Sequence, residues 1–120
     1  MINHVIDRLQ EDAQIPEAFP LVALQGAQLP AVVIQLVSTE PIDTHDKLST
    51  IDEHTIEVTI LEDNPKNAWR TSGRIRSKLD GWSDDTYSIV TSRFENQATD
   101  VFEGTDVFSV SQRYLITMNR

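Results

Sequence analysis

Apolar positions along the chain switch between helical and alternating spacing, and each switch marks the edge of an element. Ile2, Val5, Ile6 and Leu9 recur at steps of three, one and three. They form one face of a helix over residues 2 to about 13, with Asp7, Arg8, Glu11 and Asp12 outward. Pro16 and Pro20 end it. With Gly26 they make residues 15–29 an irregular connection that holds a short strand at 21–24. Pro30 introduces Ala31 to Val37, an almost unbroken β-branched and aliphatic run, which predicts a central strand covered on both faces. The polar stretch PIDTHDKLST, residues 41–50, reads as a protruding loop. Residues 51–61 alternate cleanly: Ile56, Val58 and Ile60 face one way, Thr55, Glu57 and Thr59 the other.

The stretch from Asp63 to Trp82 carries a helix start, body and stop in one run. Asp63 or Asn64 can cap the first free amides, and Pro65 suits the first helical position. Ala68, Ser72, Ile75 and Leu79 form a narrow stripe, Lys78 sits in the last turn, and Gly81 follows as a left-handed stop. Gly73, in mid-helix beside Ser72, predicts close approach of another backbone: the sheet below, which is the reading taken, or a neighbouring subunit. Beyond the helix, Asp84 and Asp85 make a turn. Residues 87–97 read as a third strand, and Ile89 and Val90 pointing opposite ways marks it as an edge strand or one that faces a partner. Residues 98–105, with Gly104, form a hairpin connection. In the last strand, 106–118, Phe108, Val110, Tyr114, Ile116 and Met118 share a face interrupted by Gln112. The order helix, strand, strand, helix, strand, strand predicts an α+β two-layer sandwich. A mainly antiparallel four-stranded sheet carries two helices on one face.

At 120 residues, 39% hydrophobic and 24% charged, the chain suits one globular domain spanning 1–120, with an expected radius of gyration of about 14 Å. No apolar run is long enough to cross a bilayer, and no basic-then-apolar leader opens the chain. The absence of cysteine excludes disulfides, thiolate catalysis and cysteine-ligated zinc. A net charge of −9, from 19 acidic and 10 basic residues, argues against gripping nucleic acid. It leaves room for a surface past which nucleic acid slides.

No chemical constellation emerges. Asp43, His45 and Asp46, with Asp52, Glu53 and His54 across the loop, are the tightest polar cluster, but their spacing matches no metal-ligand pattern. They read as a solvated loop. The serines sit in no nucleophile elbow, and glycines 26, 73, 81 and 104 are too scattered for a phosphate loop. Trp69 and Trp82 read as packing anchors, since no basic groove accompanies them. Nothing argues for an enzyme, a cofactor or a metal.

With these elements in order, nearly the whole chain resembles the phage tail-completion, tail-to-head joining or tail-terminator family. The resemblance rests on the N-terminal helix, the proline-led strand LPAVVIQLVS and the alternating strand HTIEVTILED. It continues through the helix end IRSKLDGW and the final strand DVFSVSQRYLITM. The loop PIDTHDKLST lacks the glycines that members often carry there.

The resemblance implies a structural virion protein with no enzymatic activity. It would cap the tail tube, end tail elongation and join tail to head as a hexameric ring through which DNA passes unbound. The implied partners are further copies of the chain, the major tail tube protein and a head–tail connector. Its place would be the head-proximal end of the tail, after assembly in the host cytoplasm. Candidate subunit or tube contacts fall on three exposed segments: Asp43, His45, Asp46 and Lys47; Arg93 and Glu95; Phe102 and Glu103. The same element order also serves a ligand-binding or regulatory α+β domain that dimerises through its sheet, and a neighbouring connector or minor tail component.

Overall fold

The computed structural model describes residues 2–16, 18–20, 30–41, 51–86, 88–101 and 108–119, without the side chains of 19, 100 and 101. Helix α1 spans Ile2–Gln10. It stops short of residue 13 because Asp12 turns the chain: its Oδ1 accepts the Gln14 amide at 2.9 Å, a local bond that competes with continued helix. The short strand β1, Ala18–Pro20, follows. The strand expected at 21–24 lies outside the described residues, as does the loop 42–50.

Strands β2 (Ala31–Pro41) and β3 (Ile51–Glu62) precede helix α2 (Pro65–Leu79), and β4 (Ile89–Val101) and β5 (Phe108–Asn119) follow it. The five strands form one sheet in the order β1-β2-β3-β5-β4. The four long strands pair antiparallel, as the element order predicts, and β1 adds a fifth, parallel to β2. The centre of the sheet is β3, not β2. Because β1 covers only Val32–Ile34, β2 is buried from Ala31 to Ile34 and exposed from Gln35 onward. Val37 falls in a register break between Leu36 and Ser38, which ends the inward run that the apolar sequence suggested. The β4 strand runs four residues beyond its expected end at 97, through part of the segment read as a hairpin connection.

Both helices lie on one face of the sheet. Val5 and Leu9 of α1 and Ala68, Ile75 and Leu79 of α2 meet Val32, Ile34, Ile56, Val58, Ile60, Val110, Tyr114 and Ile116 in one core cluster. Buried aliphatic side chains of this size each contribute about 1.5–3 kcal/mol relative to exposure. The sheet outruns the helices, so the molecule is elongated at 53 × 27 × 23 Å, with a radius of gyration of 15.1 Å.

The start and stop of α2 match their signals. Asn64 is the cap, its side chain accepting from Lys66 N at 2.9 Å, and Pro65 opens the helix. Gly81 has φ +80°, the left-handed region glycine adopts without strain, and its amide reaches Ser92 O of β4 at 2.7 Å. The interrupting Gln112 is itself buried. Its Nε2 donates to Ser72 O and Gln97 Oε1, and its Oε1 accepts from the Tyr114 hydroxyl. A polar residue on the core face thus joins β5 to both α2 and β4.

Two sequence expectations fail on α2. A methyl group at Gly73 would meet nothing within 4 Å among the described residues, so the glycine does not serve packing on the sheet. Trp82 is an anchor, 5% exposed, but Trp69 is 63% exposed. Both departures arise because the Ala68–Ser72–Ile75–Leu79 stripe faces the sheet and turns Trp69 and Gly73 away from it.

Candidate assembly surfaces

Of the segments singled out for contacts, Arg93 and Glu95 are described, and Asp43, His45, Asp46, Lys47, Phe102 and Glu103 lie outside the described residues. Arg93 and Glu95 are exposed on β4. Arg93 stands opposite Leu115, while Glu95 sits in a register break between Phe94 and Asn96. The Phe94 amide donates to Asp80 Oδ1 at 3.1 Å beside that break. Arg93 also lines a shallow groove with Glu53, Asp80, Thr91 and Thr117.

Because β4 ends the strand order, its outer side carries no ladder among the described residues. Nor does β2 from Gln35 to Pro41, past the last pairing with β1. Among the described residues the sheet therefore presents two open edges on opposite sides, and they are unlike. One is a long strand bearing Arg93 and Glu95, the other a shorter segment bearing Leu36, Val37 and Glu40. Open edges offer unpaired N–H and C=O groups to another chain.

The outer side of α2 is a third surface, which the sequence reading left without a role. Lys66, Arg70, Arg74, Arg76 and Lys78 are five of the chain's 10 basic residues, and Pro65–Leu79 contains no acid. Two of these side chains are engaged, and the main chain of a third accepts a bond. Arg74 meets Asp12 at 3.4 Å, and Arg76 lies 3.9 Å over the Phe94 ring and 3.8 Å from Asp80. The Lys78 carbonyl accepts from Arg8 Nε at 3.0 Å. Lys66 and Arg70 flank Trp69 without an acidic partner among the described residues. The signal was legible as a 15-residue helix with no acid in an acidic chain.

At the other end of α2, Asp7, Arg8, Glu11, Trp82, Asp84 and Thr86 line a groove, with the Arg8 guanidinium 5.6 Å over the Trp82 ring. Asp84 Oδ1 caps the turn by accepting Thr86 N at 2.9 Å. Among the described residues no group of three or more His, Asp or Glu side chains gathers as a metal site would. His54, from the polar cluster, instead meets Thr39 Oγ1 through Nδ1 at 2.9 Å, and burial holds its pKa below the ordinary 6.5. Burial also raises the Glu62 carboxyl above its ordinary value, with Asp63 adding to the shift. The Asp12 carboxyl is lowered, first by the Gln14 amide and then by Arg74.

Two unlike edges, open among the described residues, and a segregated basic helix are the surfaces that this small α+β unit offers. The chain belongs to the tail completion protein gp17 family, whose model matches residues 3–119, and it is a phage tail structural protein. Its fold is shared with a chain from a structure titled virion of native gene transfer agent particle. The two superpose with a TM-score of 0.72 at 15% identity, covering 97% of this chain and 92% of that one. No curated protein sequence matches this chain.

Proposed function

We propose that the protein caps the phage tail tube, ends tail elongation and forms the joint between tail and head, as a hexameric ring. Copies of the chain, the tail tube protein and a head–tail connector are its partners, and DNA passes through the ring without specific binding. Its place is the head-proximal end of the tail.

The observation that carries this reading is the pair of unlike edges, open among the described residues, on opposite sides of one sheet. A ring of identical subunits needs two different surfaces on each, meeting head to tail, and closes when the rotation between neighbours divides a full turn. A dimer through the sheet would use one edge twice. Membership in a tail completion family supports the location, and the virion origin of the structural neighbour agrees with it. The net charge of −9 suits a lumen that repels phosphate. For Asp43, His45, Asp46 and Lys47, for Arg93 and Glu95, and for Phe102 and Glu103, the proposed role is contact with a neighbouring subunit or the tube.

The test is electron microscopy of the protein with purified tail tubes, alongside light scattering over a wide concentration range. Six-fold density on one tube end is the expected result. A concentration-independent dimer that never decorates tubes would overturn the reading.

A further inference from the structure

We infer that the outer face of α2 around Trp69 is a subunit contact, and that its counterpart is the acidic groove around Trp82 on a second copy of the chain. The inference rests on the ring reading and names two of the surfaces that would meet.

The starting point is two features that the isolated chain does not explain. Trp69 leaves 63% of its surface in water, a large exposed apolar area for one side chain. One helical turn on, Gly73 sits in an exposed helix interior, where alanine would be more favourable and would touch nothing among the described residues. Both make sense at once if another chain seats there. The indole is then a central anchor of the kind that dominates interfaces. The missing Cβ lets the partner's backbone come close beside it.

Charge selects the occupant. With Lys66 and Arg70 flanking Trp69, the contact wants an acidic partner. Two copies of α2 facing each other would set five basic residues against five, which disfavours a symmetric dimer through this helix. The rest of the chain, however, holds all 19 acidic residues against five basic ones. Asp7, Glu11 and Asp84 border a groove of about 320 Å³ also lined by Trp82 and by Arg8, which pairs with Glu11 at 3.3 Å, so three acids face one base there. This groove lies at the C-terminal end of α2, where Arg8 bonds Lys78 O, whereas Trp69 is near the N-terminal end. One copy therefore carries the two complementary surfaces about three turns of helix apart, roughly 15–20 Å along the axis. Surfaces so separated cannot satisfy each other within one chain. They can do so between chains, head to tail.

Reciprocal charge reversal tests the pairing. Lys66→Glu with Arg70→Glu in one protein, and Asp7→Lys with Glu11→Lys in another, change exposed or half-exposed residues and leave the core intact. Each variant alone should lose rings, in solution or on tail tubes, with at least a tenfold rise in the concentration needed. Mixed in equal amounts they should recover them, because an alternating ring restores opposite charges at every contact. Trp69→Ala should weaken assembly similarly while leaving the monomer's melting temperature unchanged. If both reversed proteins form rings as the unaltered protein does, or if mixing restores nothing, these surfaces do not face each other and the inference falls while the ring reading stands. If the unaltered protein forms no ring, free or on tubes, the ring reading falls and this contact falls with it.

Discussion

Gln112 of β5 donates its side-chain amide to the main-chain carbonyl of Ser72, in the middle of α2, across 3.0 Å of buried space. The same amide nitrogen bonds Gln97 on β4 at 2.9 Å, and the amide oxygen receives the Tyr114 hydroxyl at 2.8 Å. One side chain thus ties a helix and two strands, and a buried polar network is stabilising only while each member is satisfied.

Replacing Gln112 therefore strands its partners. Gln112→Leu keeps the volume but leaves the buried Tyr114 hydroxyl without its acceptor, and a loss of about 1–3 kcal/mol is expected. The double variant with Tyr114→Phe should recover part of that loss, because it removes the stranded hydroxyl. Urea unfolding of the single and double variants reads this directly. A Gln112→Leu protein as stable as its parent would contradict it.

The two glycines of the α2 region should respond in opposite directions. Gly73→Ala fills open space on a helix and should stabilise the isolated chain by about 0.5–1 kcal/mol. Gly81→Ala forces a Cβ into φ +80° and should cost about 1–2 kcal/mol. Thermal melts of both variants at low concentration would show one transition moving up and the other down.

Glu62 should make stability depend on pH in the unusual sense for a carboxylate. Its pKa is raised by burial, so its folded form prefers the proton. Its favourable contribution is complete below the ordinary 4.5 and is lost as pH rises through the folded value. Glu62→Gln should accordingly stabilise the chain near neutral pH, with an advantage that shrinks as pH falls through the folded value and is gone below 4.5. Melting curves of the two proteins between pH 4 and about 8 should diverge upward.

His54 acts in the other direction. Burial lowers its pKa, so the neutral ring that meets Thr39 is favoured in the fold. Its contribution is present above 6.5 and declines as pH drops toward the folded value. An NMR titration of the histidine ring protons should place His54 below 6.5. His54→Gln should flatten the stability profile just below that pH.

These expectations rest on elements the sequence reading could and could not reach. The start and stop of helix α2 were legible because Asn64, Pro65 and Gly81 each do one local job that neighbours do not override. The alternation of Ile56, Val58 and Ile60 likewise survived into the fold, since β3 is flanked on both sides and covered by α2. The edge character of β4 showed in Ile89 and Val90. What failed was anything set by pairing at a distance. Three residues, Ala18–Pro20, have no period to betray a strand, and only their register with Val32–Ile34 makes one. Leu36 and Val37 looked buried because apolar runs carry no record of where a neighbouring strand ends. Gln112 read as a gap because its partners lie 40 residues back on α2 and 15 back on β4. Of the proposed contact residues, Arg93 and Glu95 stand exposed on β4, whose outer side carries no ladder among the described residues.

The strand order has a consequence for how the chain is made. β5 lies between β3 and β4, though it is synthesised after both. Until it emerges, β3 has one bare side and β4 has no neighbour at all among the described strands. The core cannot close over Tyr114 and Ile116, which β5 itself supplies. Closing the sheet therefore waits for β5 to pair with β3 across α2 and β4 in the chain, a non-local step of the kind that slows folding. During that wait the nascent chain leaves sheet edges unpaired, and its net charge of −9 opposes association between newly made copies.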